Sequence, residues 1–216
     1  MSSKSFLIKP LAAAALLAVA GASQASITVY TSQAAFNAAT TAQGVDTFTG
    51  FSITGSTPSP ITRSAGPYGY TGSVTTTSFF GAGTTANPWL STNTATDAIT
   101  FNGFTGGVSA VGGNFFGSDI SGLFAAGDIT LTATDASGSV TQTIVGATTT
   151  SFVGFVSTGL MTSLVVSSVQ PAAGFLWPTV DNLTLAQAGV VPEPGSYALM
   201  FAGLGFLGFM ARRRRA

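Results

Sequence analysis

From Asp128 to Val145 the chain alternates. Ile129, Leu131 and Ala133 occupy one set of positions and Thr130, Thr132 and Thr134 the other. Asp135-Ala136-Ser137-Gly138 interrupts them, and Val140–Val145 resumes the pattern. Successive side chains of a strand point to opposite faces, so a period of two places the apolar set on a core and the threonines in water. A helix would scatter both sets around its circumference. The four-residue interruption carries turn chemistry, so the segment reads as a β-hairpin.

The same texture runs through residues 26–190, which hold 22 Gly and 32 Thr and offer little that favours helix. Further strands are expected at Ile27–Tyr30, Asp46–Phe51, Ser73–Phe79, Ala98–Phe101, Val108–Phe116, Ser151–Val156, Leu164–Ser168 and Val180–Leu185. One short helix is expected at Gln33–Ala39, with Ser32 as N-cap and Phe36 pinned to the core. Nine or ten short strands at this spacing point to an all-β fold, a β-sandwich of jelly-roll type. Phe79, Phe101, Phe115, Phe152, Phe155 and Val166 are its expected core. Ser52–Gly72, with Pro58, Pro60 and Pro67, reads as a long surface loop. Gly81–Leu90 and Gln170–Pro178 read as irregular pieces carrying Trp89, Phe175 and Trp177. These tryptophans either close the ends of the core or line a sugar-binding face; Trp89 and Trp177 are therefore the candidate ligand-binding residues.

Charge is distributed in a way that separates the ends from the middle. Lys4 and Lys9 sit near the start, and Arg212, Arg213, Arg214 and Arg215 near the finish. Residues 26–190 keep one base, Arg63, against six Asp, a net of −5. The chain has no Cys and no His. Disulfides, thiolate zinc sites and Ser-His or Cys-His nucleophiles are excluded, and no basic surface invites nucleic acid.

Residues 1–25 read as a secretory signal peptide handled by the secretion translocon. Lys4 and Lys9 form the basic region, Leu11–Ala20 the apolar region, and Ser23-Gln24-Ala25 the small residues before a cut between Ala25 and Ser26. At the other end, Tyr197–Ala211 is an apolar run of fifteen residues without charge. As a transmembrane helix it would rise ~22 Å at ~1.5 Å per residue. That is short of the ~30 Å hydrocarbon core, a mismatch that flanking Arg side chains and local thinning accommodate. Arg212–Arg215 orient it, because basic residues stay on the cytoplasmic side. Three parts follow: the signal peptide 1–25, an exported domain 26–190 and a tail 191–216.

The tail, Val191–Ala216, resembles the sorting signal of PEP-CTERM proteins. It has Pro192-Glu193-Pro194, then the Gly-rich apolar helix, then the Arg cluster, in that order. The resemblance implies export by a Gram-negative bacterium, in many cases a maker of exopolysaccharide. It also implies recognition by an exosortase, a membrane protease or transpeptidase that acts near Pro192, Glu193 and Pro194. The two prolines fix φ and hold the triad extended, as a protease site requires. A plain single-pass anchor is the alternative.

Asp181-Asn182-Leu183-Thr184-Leu185 is similar to the DNLT strand that often closes PEP-CTERM ectodomains. Jelly-roll carbohydrate-binding modules place a structural calcium ion at a comparable acidic pair. That resemblance implies calcium on Asp181 and Asn182, with Asp46 as partner; oxygen ligands suit the ion.

The expected role is non-enzymatic: a structural or adhesive component of an extracellular matrix or biofilm. Any polysaccharide it binds is expected to be neutral, or bridged by calcium, since −5 repels acidic polymers. A lectin-like carbohydrate-binding module is the alternative. A glycoside hydrolase would need two carboxylates, for which Asp119 and Asp128 are the nearest candidates. Thr-x-Thr pairs at Thr47/Thr49, Thr92/Thr94, Thr130/Thr132 and Thr141/Thr143 raise ice binding, but their irregular period argues against a flat array.

Overall fold

The structure is a computed structural model and describes residues 26–76, 78–189 and 203–204. Its strands form two antiparallel sheets. The smaller sheet is ordered β12 (Ser139–Ala147), β11 (Gly127–Asp135), β14 (Met161–Ser168), β8 (Ile99–Asn102), β5 (Tyr68–Val74), β4 (Ile61–Ala65). The larger is ordered β1 (Ile27–Tyr30), β13 (Phe152–Ser157), β9 (Ala110–Ser118), β15 (Trp177–Ala188), β7 (Asn87–Thr92), β6 (Ser78–Thr84), β3 (Ser56–Pro58). Two strands lie off that path: β2 (Thr40–Asp46) pairs with β15, and β10 (Phe124–Ala125) with β9. The all-β expectation holds.

The hairpin that the alternation predicts is β11–β12. Leu131 and Ala133 are fully buried, while Thr130 faces Thr143 and Thr132 faces Thr141 across the outer surface. Their hydroxyls meet at 3.2 and 3.0 Å. Inner side chains of both sheets share one core. Tyr70, Phe101, Leu131, Leu164 and Val166 of the smaller sheet meet Phe79, Leu90, Val111, Phe115, Phe155, Val180, Leu183 and Leu185 of the larger. Each such side chain contributes ~1.5–3 kcal/mol over exposure to water.

The helix α1 (Gln33–Ala39) forms where expected, with Ser32 at its N-cap position. Phe36 is fully buried, in a second small cluster with Ala110, Phe152 and Ala186 rather than in the main core. It fits there because residue 154 is glycine: a Cβ would stand 2.2 Å from the Phe36 ring.

Three sequence expectations need correction. Ser52–Gly72 is not one long loop, since it contains β3, β4 and the start of β5. Its prolines misled: Pro58 sits on β3, at the sheet edge where a missing donor costs nothing, and Pro67 lies in the β4–β5 turn. Gly81–Leu90 is the β6–β7 hairpin, with Ala82 opposite Trp89. The early strand is Thr40–Asp46 rather than Asp46–Phe51; it ends where Phe48 takes a positive φ of 54°.

Candidate functional site

The sole base of the exported domain is committed. Arg63 on β4 donates from Nε to Asp46 Oδ2 and from Nη2 to Asp46 Oδ1, both at 2.7 Å. Tyr70 on β5 donates its hydroxyl to Oδ2 at 2.7 Å, and the Phe48 N–H donates to Oδ1 at 2.8 Å. The guanidinium lies over the Phe51 and Phe48 rings, 5.0 and 5.7 Å from their centroids. Burial alone would push the Asp46 carboxyl up. The donors from Arg63, Tyr70 and Phe48 outweigh it and hold the group below the usual carboxylate range. Burial, then the neighbouring charge of Asp46, pushes the Tyr70 phenol up. This bidentate, aromatic-backed pair joins β2, of the larger sheet, to β4 and β5 of the smaller.

The expected calcium set does not assemble. Asp46 does lie opposite Leu183, on the strand that carries Asp181 and Asn182. Its carboxylate, however, is filled by Arg63, Tyr70 and Phe48. Asn182 takes a positive φ of 52° at a register shift in β15, and its Nδ2 donates to Asn114 Oδ1 at 3.3 Å. Among the described residues no three carboxylates gather as a metal group would.

Asp181 is instead part of a polar cluster on the outer face of the larger sheet. It is buried, opposite Asn114, and Asn87 donates to its Oδ2 at 3.4 Å. Oδ1 has no hydrogen-bond partner. Burial therefore dominates and pushes this carboxyl up, against the smaller opposite pull of Asn87 and the Asn182 N–H.

Trp89 lies next to this cluster, not on a loop. It is half-buried in β7, packs edge-on against Phe116 at 4.8 Å, and its buried Nε1 has no partner. The segment Asp119–Phe124 reaches back over this face. Gly122 accepts from Gly83 N–H and lies against Phe80 and Ala82, in a place and at a φ of +75° that suit only glycine. Asp119 braces the segment by accepting from the Ser121 and Leu123 N–H groups at 2.8 and 2.9 Å. Trp89 is thus a half-buried strand residue packed on Phe116 rather than a loop residue.

Trp177, expected in the irregular piece Gln170–Pro178, is instead the first residue of β15. Its ring meets Phe175 at 6.2 Å. The two rings and Asn93, Thr94, Ala95 and Thr96 line a shallow groove of about 250 Å³. A wider cleft of about 560 Å³ opens beside α1, lined by hydroxyl and amide side chains including Ser32, Gln33, Gln142 and Thr150. Neither carries a charged side chain.

The remaining carboxylates bind the fold together. Asp128 accepts from Gly146 N–H, and Asp97 from the Thr76 N–H and hydroxyl. Asp135 takes the Ser137 and Gly138 N–H groups and the Ser137 hydroxyl at Oδ1, and the Ser157 hydroxyl at Oδ2. Those donors, Ser137 first, hold it below its usual value. Asp119 and Asp128, the carboxylate candidates for hydrolysis, each serve backbone N–H groups. The Thr-x-Thr pairs do not join into one array. Thr130, Thr132, Thr141 and Thr143 share the outer face of the smaller sheet, whereas Thr92 is buried in β7 and Thr47/Thr49 follow β2.

The expected signal-peptide cut at Ala25, the triad Pro192, Glu193 and Pro194, and Arg212–Arg215 lie outside the described residues. Of the apolar run, Gly203 and Leu204 are described, and both are helical. Among the described residues no helix is long and apolar enough to cross a membrane. The tail is settled by comparison. A family model described as the PEP-CTERM protein-sorting motif matches residues 190–215. No curated protein matches the chain, and no solved structure does.

Proposed function

Taking as its premise a chain exported and sorted by an exosortase through a PEP-CTERM tail, we propose that the domain before that tail is a non-enzymatic structural or adhesive component of the extracellular matrix of a Gram-negative bacterium. One observation carries this reading: Arg63 and every aspartate of the domain except Asp181 are engaged in holding it together. Arg63 and Asp46 neutralise each other, and Asp97, Asp119, Asp128 and Asp135 bind loops and turns. Asp119 and Asp128, the pair that hydrolysis would call on, each accept from backbone N–H groups. A rigid, acidic, Lys-free sandwich suits passive display. The groove at Phe175 and Trp177 favours a second reading, a lectin-like module, because aromatic rings beside hydroxyl and amide groups match the two kinds of surface on a sugar.

The test is mass spectrometry of the protein recovered from the matrix and envelope fractions of its own cells. The expected product begins at Ser26, ends near Glu193 and is found in the matrix. A product that retains Arg212–Arg215 and stays in the inner membrane refutes the reading and leaves a plain anchored domain.

A further inference from the structure

The first and last strands of the sandwich begin and finish at the same end. Ser26 exchanges hydrogen bonds with Thr158: its N–H reaches Thr158 Oγ1 at 3.2 Å, and its carbonyl accepts the Thr158 N–H at 3.3 Å. Next to it, Ser157 N–H donates to Ser109 O at 2.8 Å, and Ser109 N–H to Ala186 O at 3.1 Å. Ala188 N–H then meets Ser109 Oγ at 2.7 Å. The start of the domain and its exit into the tail are therefore neighbours. Seven residues, 190–196, separate Gly189 from the apolar run. At most ~3.6 Å per residue, they hold this near end within about 29 Å of the membrane.

β15 carries the chain away from that end. Read backwards from Ala188, it spans roughly 36 Å at ~3.3 Å per residue before reaching Trp177. The far end holds several of the domain's exposed apolar side chains, although Leu160 stands exposed at the near end. Trp177 and Phe124 both pair with Ser118, on either side of β9. Phe175 meets Trp177 edge-on and is 67% exposed. Ile120 and Leu123, 77% and 57% exposed, stand on the segment braced by Asp119. The groove with Asn93, Thr94 and Thr96 lies beside Trp177. Soluble proteins seldom collect such side chains at one end without a use.

We infer that this far end, built on Phe175, Trp177 and the Ile120–Phe124 segment, is a docking face for a neutral polysaccharide. The inference rests on the matrix reading above and names its contact surface. Charge selects the occupant. The groove holds no charged side chain, the nearby carboxylates Asp119 and Asp128 repel anions, and Arg63 is spent on Asp46. Rings stack on the C–H faces of sugar rings, and the Asn93, Thr94 and Thr96 side chains meet hydroxyls. Until the tail is cut, the tether joins the domain at the end opposite this face.

The full chain in detergent is run through native gels containing hydroxyethylcellulose, dextran, galactomannan or the anionic polymer alginate. Retardation is expected in at least one neutral gel and not in alginate. Phe175→Ala and Leu123→Ser are both surface changes, and each is expected to weaken it at least 5-fold; Trp177→Ala is expected to abolish it. Leu160→Ser is at the near end, beside Met161, whose N–H reaches Val108 O, and is expected to leave it unchanged. No retardation in any neutral gel overturns the proposal. So does retardation that survives Phe175→Ala and Trp177→Ala but is lost in Gln142→Ala, which moves the site to the cleft beside α1. Concentration-dependent dimers that Phe175→Ala abolishes, without gel retardation, make the face a contact between copies and also overturn it. Retardation by a chain that stays in the inner membrane of its own cells would refute the matrix reading alone.

Discussion

Replacing Arg63 with methionine tests the central electrostatic claim. Methionine keeps most of the volume over Phe48 and Phe51 but leaves the Asp46 carboxylate, 5% exposed, without its counter-charge. Removing one partner of a buried pair costs ~3–5 kcal/mol. Arg63 is itself 23% exposed, and Tyr70 and Phe48 still donate to the carboxylate, so the lower end applies. For a domain of this size, ~3 kcal/mol lowers Tm by roughly 6–12 °C. The assay is calorimetric or CD melting of wild type and Arg63→Met from pH 7 to pH 3. In the wild type the Asp46 pKa is depressed, so its contribution is present above the ordinary carboxylate value and lost as pH falls through the folded one. In the variant burial is opposed only by the Tyr70 and Phe48 donors, and protonation relieves the penalty. The gap between the two proteins should therefore narrow on acidification. The double variant Asp46→Asn/Arg63→Met should recover most of the loss, because neither charge remains buried. A loss below ~0.5 kcal/mol, typical of an indifferent surface change, or a gap independent of pH, refutes the reasoning.

Two other perturbations have clear signs. Asp181 has a raised pKa, so its burial stabilises the domain least when it is ionised. That deficit sets in as pH rises from the unfolded pKa to the folded one. Asp181→Asn should raise Tm at pH 7 and leave it unchanged below pH 3, as read by parallel thermal melts; a lower Tm at pH 7 would contradict the burial account. Gly154→Ala places a Cβ 2.2 Å from the Phe36 ring. It should cost ~1–3 kcal/mol by overpacking, and Gly154→Ala/Phe36→Leu should regain part of it in urea titrations.

The sequence was most legible where a single period governs a segment. Ile129–Thr134 had to be a one-sided strand, and Ala34, Ala35, Ala38 and Ala39 had to sit in the short helix that Phe36 anchors. Segments punctuated by proline were misread. Pro58, Pro60 and Pro67 suggested a loop, but a proline at a sheet edge or in a turn does not stop Ile61, Arg63 and Ala65 from alternating. Trp177 was expected in an irregular piece, but β15 begins at Trp177 itself. Trp89 was misread too: it lies in β7, on a face that Gly122 reaches from more than 30 residues away by accepting from Gly83 N–H.

What the sequence determined alone is the class and the address. Period-two alternation, the scarcity of helix formers and the ordered tail of Pro-Glu-Pro, apolar run and Arg cluster are local patterns, and local patterns survive without knowledge of the fold. Tertiary structure decided everything that depends on long-range registration. It gave Asp46 to Arg63 instead of to Asp181 and a cation, because a fixed guanidinium on β4 fills both carboxylate oxygens. It left Asp181 buried with one oxygen unpaired. It brought Ser26 and Ala188 to one end and Phe124, Phe175 and Trp177 to the other, because the direction of a strand within a sheet is set by its partners and not by its own residues.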